Sequence, residues 1–113
     1  MITENSVQAV ESGRAMTAVV VAGDYLNKLE GEKIERECKA RLDQGCRELI
    51  VDFSQTEIIN SIGISILLGV IDSAENTGAK VVFSDLNQHS AELLEMLGLT
   101  KHVTISGTAD LEA

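Results

Sequence analysis

The residue with the clearest capacity for chemistry is Ser61. It follows Asn60 within Thr56–Gly69 (TEIINSIGISILLG), after an apolar strand has ended and as an apolar helix begins. A serine in the first turn of a helix can do one of two things. It can cap the turn's free N–H groups, a task Asn60 performs equally well. Or it can accept a phosphoryl group, which those N–H groups and about half a positive charge at the helix N-terminus would then hold. On local chemistry alone, capping is the commoner outcome. Gly63 has no side chain and is expected to leave that turn open to close approach by a partner or a kinase.

No other constellation assembles a reaction. His89 and His102 fall in different predicted elements, one beginning a helix and the other a strand, and neither is near Ser61 in sequence. Asp52 ends an apolar strand, but it lacks the clustered acids and the lysine that a phosphate-accepting aspartate requires. The G-x-x-x-x-G-K phosphate loop is absent. Cys38 and Cys46 stand eight apart within one predicted helix, without C-x-x-C spacing or a nearby histidine, so they are expected to be reduced thiols at packing positions. The sequence therefore assigns no catalytic residue, no metal ligand and no cofactor, and the chain is expected not to be an enzyme.

The elements that place Ser61 follow from the hydrophobic periods. Residues 6–11 alternate loosely, as a short edge strand would, and 16–22 (MTAVVVA) form a β-branched run stopped at Gly23-Asp24. From Asn27 to Leu42 the pattern becomes helical, with Leu29, Ile34, Cys38, Ala40 and Leu42 among charged residues, acids early and bases late. Glu48–Phe53 reads as a strand covered on both faces. Ser61–Asn76 is a helix stopped by Thr77-Gly78, Ala79–Phe83 a strand, His89–Leu97 a helix and His102–Ile105 a last strand. The tail from Gly107 to Ala113 can start another helix. Alternating strands and helices after two N-terminal strands predict an α/β fold with parallel pairing among the later strands.

Within the second helix, Ile64, Leu67, Leu68, Ile71 and Ala74 define the predicted core stripe, and Ser65, Gly69, Asp72 and Asn76 the polar face. Ile62 lies inside the polar sector and Ile66 on its border. Small residues at 65 and 69 around an isoleucine make a shallow, partly apolar surface at the end of the helix where Ser61 stands. That is the form of a docking patch.

The bulk composition narrows the possible partners. The chain has 113 residues, 44% of them hydrophobic, which suits one domain with its own core. Nine basic against eighteen acidic side chains give a net charge of −9, which disfavours phosphate backbones and anionic lipid and favours a partner with a basic face. Aromatics are 3% and tryptophan is absent, so base-stacking surfaces are excluded. The N-terminus shows no secretory pattern, and the longest apolar stretch, around Ile62–Ile71, is far short of the ~20 residues of a membrane span. The expected location is the cytoplasm.

The run from Glu48 to Ile105 resembles the STAS domain of bacterial anti-sigma-factor antagonists. The resemblance is carried by LIVDF, by IINSIGISILLG, by the Gly78-Ala-Lys-Val-Val-Phe strand and by Leu94-Glu-Met-Leu-Gly-Leu before a short strand. The segment ending at Gly23 fits more loosely. The resemblance implies a STAS-like single domain over residues 1–113: α/β, with a mixed four- to five-stranded sheet and helices packed mainly on one face. It also implies that Ser61 is the residue a partner kinase phosphorylates. The unphosphorylated protein would bind a kinase-type anti-sigma factor, phosphorylation would release it, and a phosphatase would reset it. Asn27, Asn60, Ile62, Gly63, Ser65, Ile66 and Gly69 are then the partner-binding candidates, and a monomer or weak dimer is expected.

Several positions depart from the family pattern. Asn60 stands for the family's aspartate before the serine, Ile62 for its second hydroxyl residue and Ser65 for its second glycine. Asn27 stands for a further aspartate near the first helix. An amide keeps the size and hydrogen bonding of the acid and loses its charge. That favours an alternative within the same fold, a binding or scaffold module of a sensory or transport complex that is never phosphorylated.

Overall fold

The computed structural model describes residues 16–107; the alternating stretch at 6–11 and the tail beyond Gly107 lie outside them. Four strands form one sheet: β1 (Thr17–Val21), β3 (Glu48–Asp52), β5 (Lys80–Ser84) and β6 (Thr104–Ser106), in the order β1-β3-β5-β6. Every ladder is parallel. The predicted strand at 6–11, whose pairing would make the sheet mixed, is not among the described residues.

The connections are α1 (Lys28–Asp43), α2 (Ser61–Thr77) and α3 (Gln88–Met96), with a 3-10 turn at Leu99–Lys101. Strand order advances the same way at each crossover, so right-handed connections bring all three helices to one face. Burial agrees. Val20, Val51 and Phe83 share a row across the sheet and are buried beneath the helices, whereas Val19 in the alternate row is exposed. Phe53 and Phe83 meet edge to face in this core, with ring centroids 5.1 Å apart.

The helices bury narrower arcs than their composition suggests. α1 buries Gly31, Ile34, Cys38 and Leu42, spaced three and four apart. Leu29 and Ala40 lie off that arc; Leu29 is 79% exposed, against the expectation that it faces the core. α2 buries Gly63, Ile64, Leu67, Val70, Ile71 and Ala74. Val70 takes the place predicted for Leu68, which is 45% exposed, because α2 packs on α1 as well as on the sheet and its buried arc turns towards both. Cys46 lies beyond the helix end at Gln44, not within the helix; both thiols are free and buried.

A second, two-stranded parallel ladder joins β2 (Tyr25–Leu26) to β4 (Ile58–Ile59). The sequence shows no strand at either place. Two residues are too few to display a period, and the pairing exists only because the segments before α1 and α2 run side by side. This small ladder sets the geometry around Ser61.

Candidate functional site

The ladder has one dry and one wet face. Leu26 and Ile59 pair and are buried; Tyr25 and Ile58 pair and are exposed. Beyond it the two chains enter α1 and α2, each through an asparagine N-cap. Asn27 Oδ1 accepts the Glu30 N–H at 3.0 Å, and Asn60 Oδ1 accepts the Gly63 N–H at 2.8 Å. The two helix starts are bonded directly, because the Asn60 N–H donates to the Leu26 carbonyl at 3.1 Å.

Gly63 seals this junction. It is buried, and a Cβ there would collide with the Leu26 carbonyl oxygen. The sequence predicts that Gly63 opens the first turn to an incoming molecule. The structure corrects this: the close approach is made by the protein's own backbone at Leu26.

Ser61 occupies the first helical position of α2 and is exposed. Among the described residues the N–H groups of Ser61 and Ile62 have no acceptor, as expected at a helix start. The Ser65 hydroxyl donates to the Ser61 carbonyl at 3.2 Å, one turn on. The first turn of α2 carries no acidic side chain, and its cap is a neutral amide, so the dipole's positive end is uncompensated locally. Ile62 is 47% exposed beside it, as its place on the polar face predicts.

The remaining predicted positions divide. Ser65 is exposed on the face shared with Ile62. Ile66 turns towards α1, where a Cβ on Gly31 would come within 2.6 Å of its Cδ1, and Gly69 lies towards Glu35 of the same helix. Ile66 and Gly69 therefore belong to the contact between α1 and α2 and only border the open surface. The structure adds two exposed apolar residues that the sequence does not single out, Tyr25 and Ile58, which pair across the ladder that leads into α1 and α2. Their signal was faint, since a single exposed apolar residue has no period and ordinarily means nothing.

The segment before Ser61 is held on both flanks. The Thr56 hydroxyl is buried and donates to the Gly23 carbonyl at 2.7 Å, and the Glu57 N–H donates to the Asp24 carbonyl at 2.7 Å. Glu30 extends the brace by accepting the Gly23 N–H at 2.7 Å. From the opposite side, the Asn87 amide donates to the carbonyls of Thr56 and Glu57.

The residues weighed as reactive do not join this site. Asp52 accepts the Ser54 N–H at 2.8 Å and shapes the turn after β3. His89 begins α3. His102 ends the 3-10 turn instead of starting a strand, and its Nδ1 lies 3.3 Å from Glu75 Oε2, an exposed pair. Burial pushes the Cys38 thiol up to about 12, with nearby Glu37 and Cys46 adding to the effect, and burial also raises Cys46. Among the described residues no three potential metal ligands cluster, and no helix is long and apolar enough to cross a membrane.

Comparison with known proteins gives these features a family. "Putative anti-sigma factor antagonist BtrV" of Bordetella bronchiseptica is 24% identical over 88 residues, covering 78% of this chain and 76% of BtrV. The STAS domain of a SulP transporter from Vibrio cholerae superposes with a TM-score of 0.70 at 21% identity, covering 94% of this chain and 88% of that one. The anti-sigma factor antagonist SpoIIAA in its unphosphorylated form gives 0.69 at 15% identity, covering 87% and 86%. Residues 8–111 match the STAS domain family, and the chain belongs to it.

Proposed function

We propose that this protein is an anti-sigma factor antagonist that works by partner switching, with Ser61 as the phosphoacceptor. The observation that carries this reading is the exposed Ser61 hydroxyl at the first position of α2, beside the half-exposed Ile62 and two unpaired backbone N–H groups. A docking face built on Ile62 and Ser65, with Tyr25 and Ile58 on the exposed side of the adjoining ladder, is framed by the caps Asn27 and Asn60. Gly63, Ile66 and Gly69 serve this face indirectly by seating α2 against Leu26 and α1.

The switch follows from charge and solvation. An unmodified Ser61 allows a partner to cover Ile62 and the apolar residues around it. A phosphate there carries nearly two negative charges and is held by the helix N-terminus. Covering it means desolvating that charge in a protein already at −9, which opposes the contact. The partner is a protein with a basic rim, of the kinase-type anti-sigma class, and a phosphatase restores binding. The protein acts in the cytoplasm and has no catalytic activity of its own. The relation to BtrV and the likeness to SpoIIAA support this reading.

A second reading has its own observation. The SulP transporter STAS domain is as similar in fold, and neutral amides stand at both helix starts. On that reading the same face binds constitutively. Partner capture with Ser61→Ala and Ser61→Asp separates the two. Partner switching predicts retention by the alanine variant and at least ~10-fold weaker binding, about 1.4 kcal/mol, by the aspartate variant. Equal affinity for both variants removes Ser61 from the interface.

A further inference from the structure

We propose that Asn87, at the start of α3, is the positioning residue of the segment that presents Ser61; the link to Ser61 rests on the partner-switching reading above. Each of the three helices among the described residues begins with an asparagine cap, Asn27, Asn60 or Asn87, whose side-chain oxygen accepts an N–H three residues on. Among the described residues, only Asn87 uses the rest of its amide as well. Its Nδ2 donates to the Thr56 carbonyl at 3.3 Å and to the Glu57 carbonyl at 3.1 Å. The amide nitrogens of Asn27 and Asn60 have no acceptor among the described residues.

The orientation of that amide is dictated by its neighbours. The Ser90 N–H, 2.8 Å from Oδ1, can only donate, so it must face the oxygen. The two backbone carbonyls can only accept, so they must face the nitrogen. All three contacts agree on one orientation, and only an amide of this length meets them together. A serine or aspartate at 87 would cap α3 about as well and leave the two carbonyls without a donor.

Those carbonyls belong to the link between β3 and α2. On its other flank the link is tied to the β1–β2 turn, through Thr56 Oγ1 to Gly23 and the Glu57 and Ile58 N–H groups to Asp24, and to β2, through Asn60 N–H to Leu26. Asn87 holds the link from the α3 side, through the Thr56 and Glu57 carbonyls. The link is thus stretched between two anchors, and its last residue caps the helix that Ser61 opens. Asp85 helps bring Asn87 into place: it adopts a left-handed conformation at φ 60°, turning the chain sharply out of β5.

Asn87→Asp separates clamping from capping, because it keeps the acceptor for Ser90 and replaces the donor with an oxygen that repels both carbonyls. The test is amide hydrogen exchange on the whole, unmodified chain, with thermal unfolding alongside. The expected result is ~10-fold faster exchange at Glu57, Ile58 and Asn60, matching the loss of two hydrogen bonds. In the same spectra the amide chemical shifts of Glu57 and Ile58 should move while those of Val51 in β3 and Val82 in β5 stay in place, and the melting temperature should fall by no more than the lost clamp implies. Asn87→Ala, which also loses the cap, should show the same local loosening and melt earlier. Unchanged protection at those three amides in Asn87→Asp would overturn the proposal. So would chemical shifts that move as far at Val51 and Val82 as at Glu57 and Ile58, since that would make Asn87 a support of the whole sheet and not of this link. The exchange is read without any phosphate on Ser61, so it succeeds or fails independently of the switch.

Discussion

The Asn60 N–H donates to the Leu26 carbonyl at 3.1 Å, and Gly63, one turn further along α2, leaves room for no side chain against that same carbonyl. One backbone oxygen before α1 therefore sets where α2, and with it Ser61, begins. This makes the junction sensitive to a single methyl group.

Gly63→Ala should be severe. Its Cβ meets backbone, which cannot rotate away, so we expect a loss of about 2–3 kcal/mol in urea unfolding, at the upper end of overpacking costs. Gly31→Ala is the control. There the obstacle is the tip of Ile66, and the gain in helix propensity, about 1 kcal/mol, offsets the repacking. Near-equal losses for the two variants would show that the Leu26 contact is not the tight one.

Asn60→Ala should cost about 1 kcal/mol of stability through the lost cap, while Asn60→Asp keeps it. Equilibrium unfolding of both variants measures the difference. A similar loss in both would mean that the bond from Asn60 Oδ1 to Gly63 contributes little.

Ser90 is buried, and its hydroxyl has no partner among the described residues. Ser90→Ala should therefore stabilise the protein by up to about 1 kcal/mol, from the removed desolvation penalty and better helix propensity. A drop in melting temperature would reveal that the hydroxyl is satisfied after all.

The thiols give a pH dependence. Cys38 is raised from 9.0 to about 12, and burial is the main cause. The folded state therefore holds the proton more tightly than the unfolded chain. Its stabilising contribution is complete below pH 9 and is lost as pH rises from there towards 12. Denaturation midpoints should fall across that window, and Cys38→Ala should flatten the fall despite a lower starting stability. Neither cysteine of the native protein should react quickly with a thiol reagent at pH 8.

Most of the frame was legible in the sequence. The β-branched run before Gly23, LIVDF and the left-handed stop at Gly78 announce their elements directly, and α1 and α2 start within a residue of where their caps predict. Ser61 and Ile62 could be placed because helical period and cap chemistry are local properties. What escaped depends on contacts far apart in the chain. The pairing of Tyr25 with Ile58 is a two-residue ladder, the burial of Gly63 comes from Leu26, and the exposure of Leu68 follows from α2 packing on two partners. Asn87 reads as a plain cap until its second amide group is seen against Thr56 and Glu57.

The central claim is that Ser61 carries a phosphate in the cell. Its most direct test is the intact mass of the protein recovered from the cells that encode it, grown under several conditions, with Ser61→Ala treated identically. Partner switching requires a mass increase of one phosphate in a fraction of the wild-type protein and none in the variant. A protein that never gains that mass under any condition, or a variant that gains it equally, rules out Ser61 as the switch and leaves the constitutive binding face.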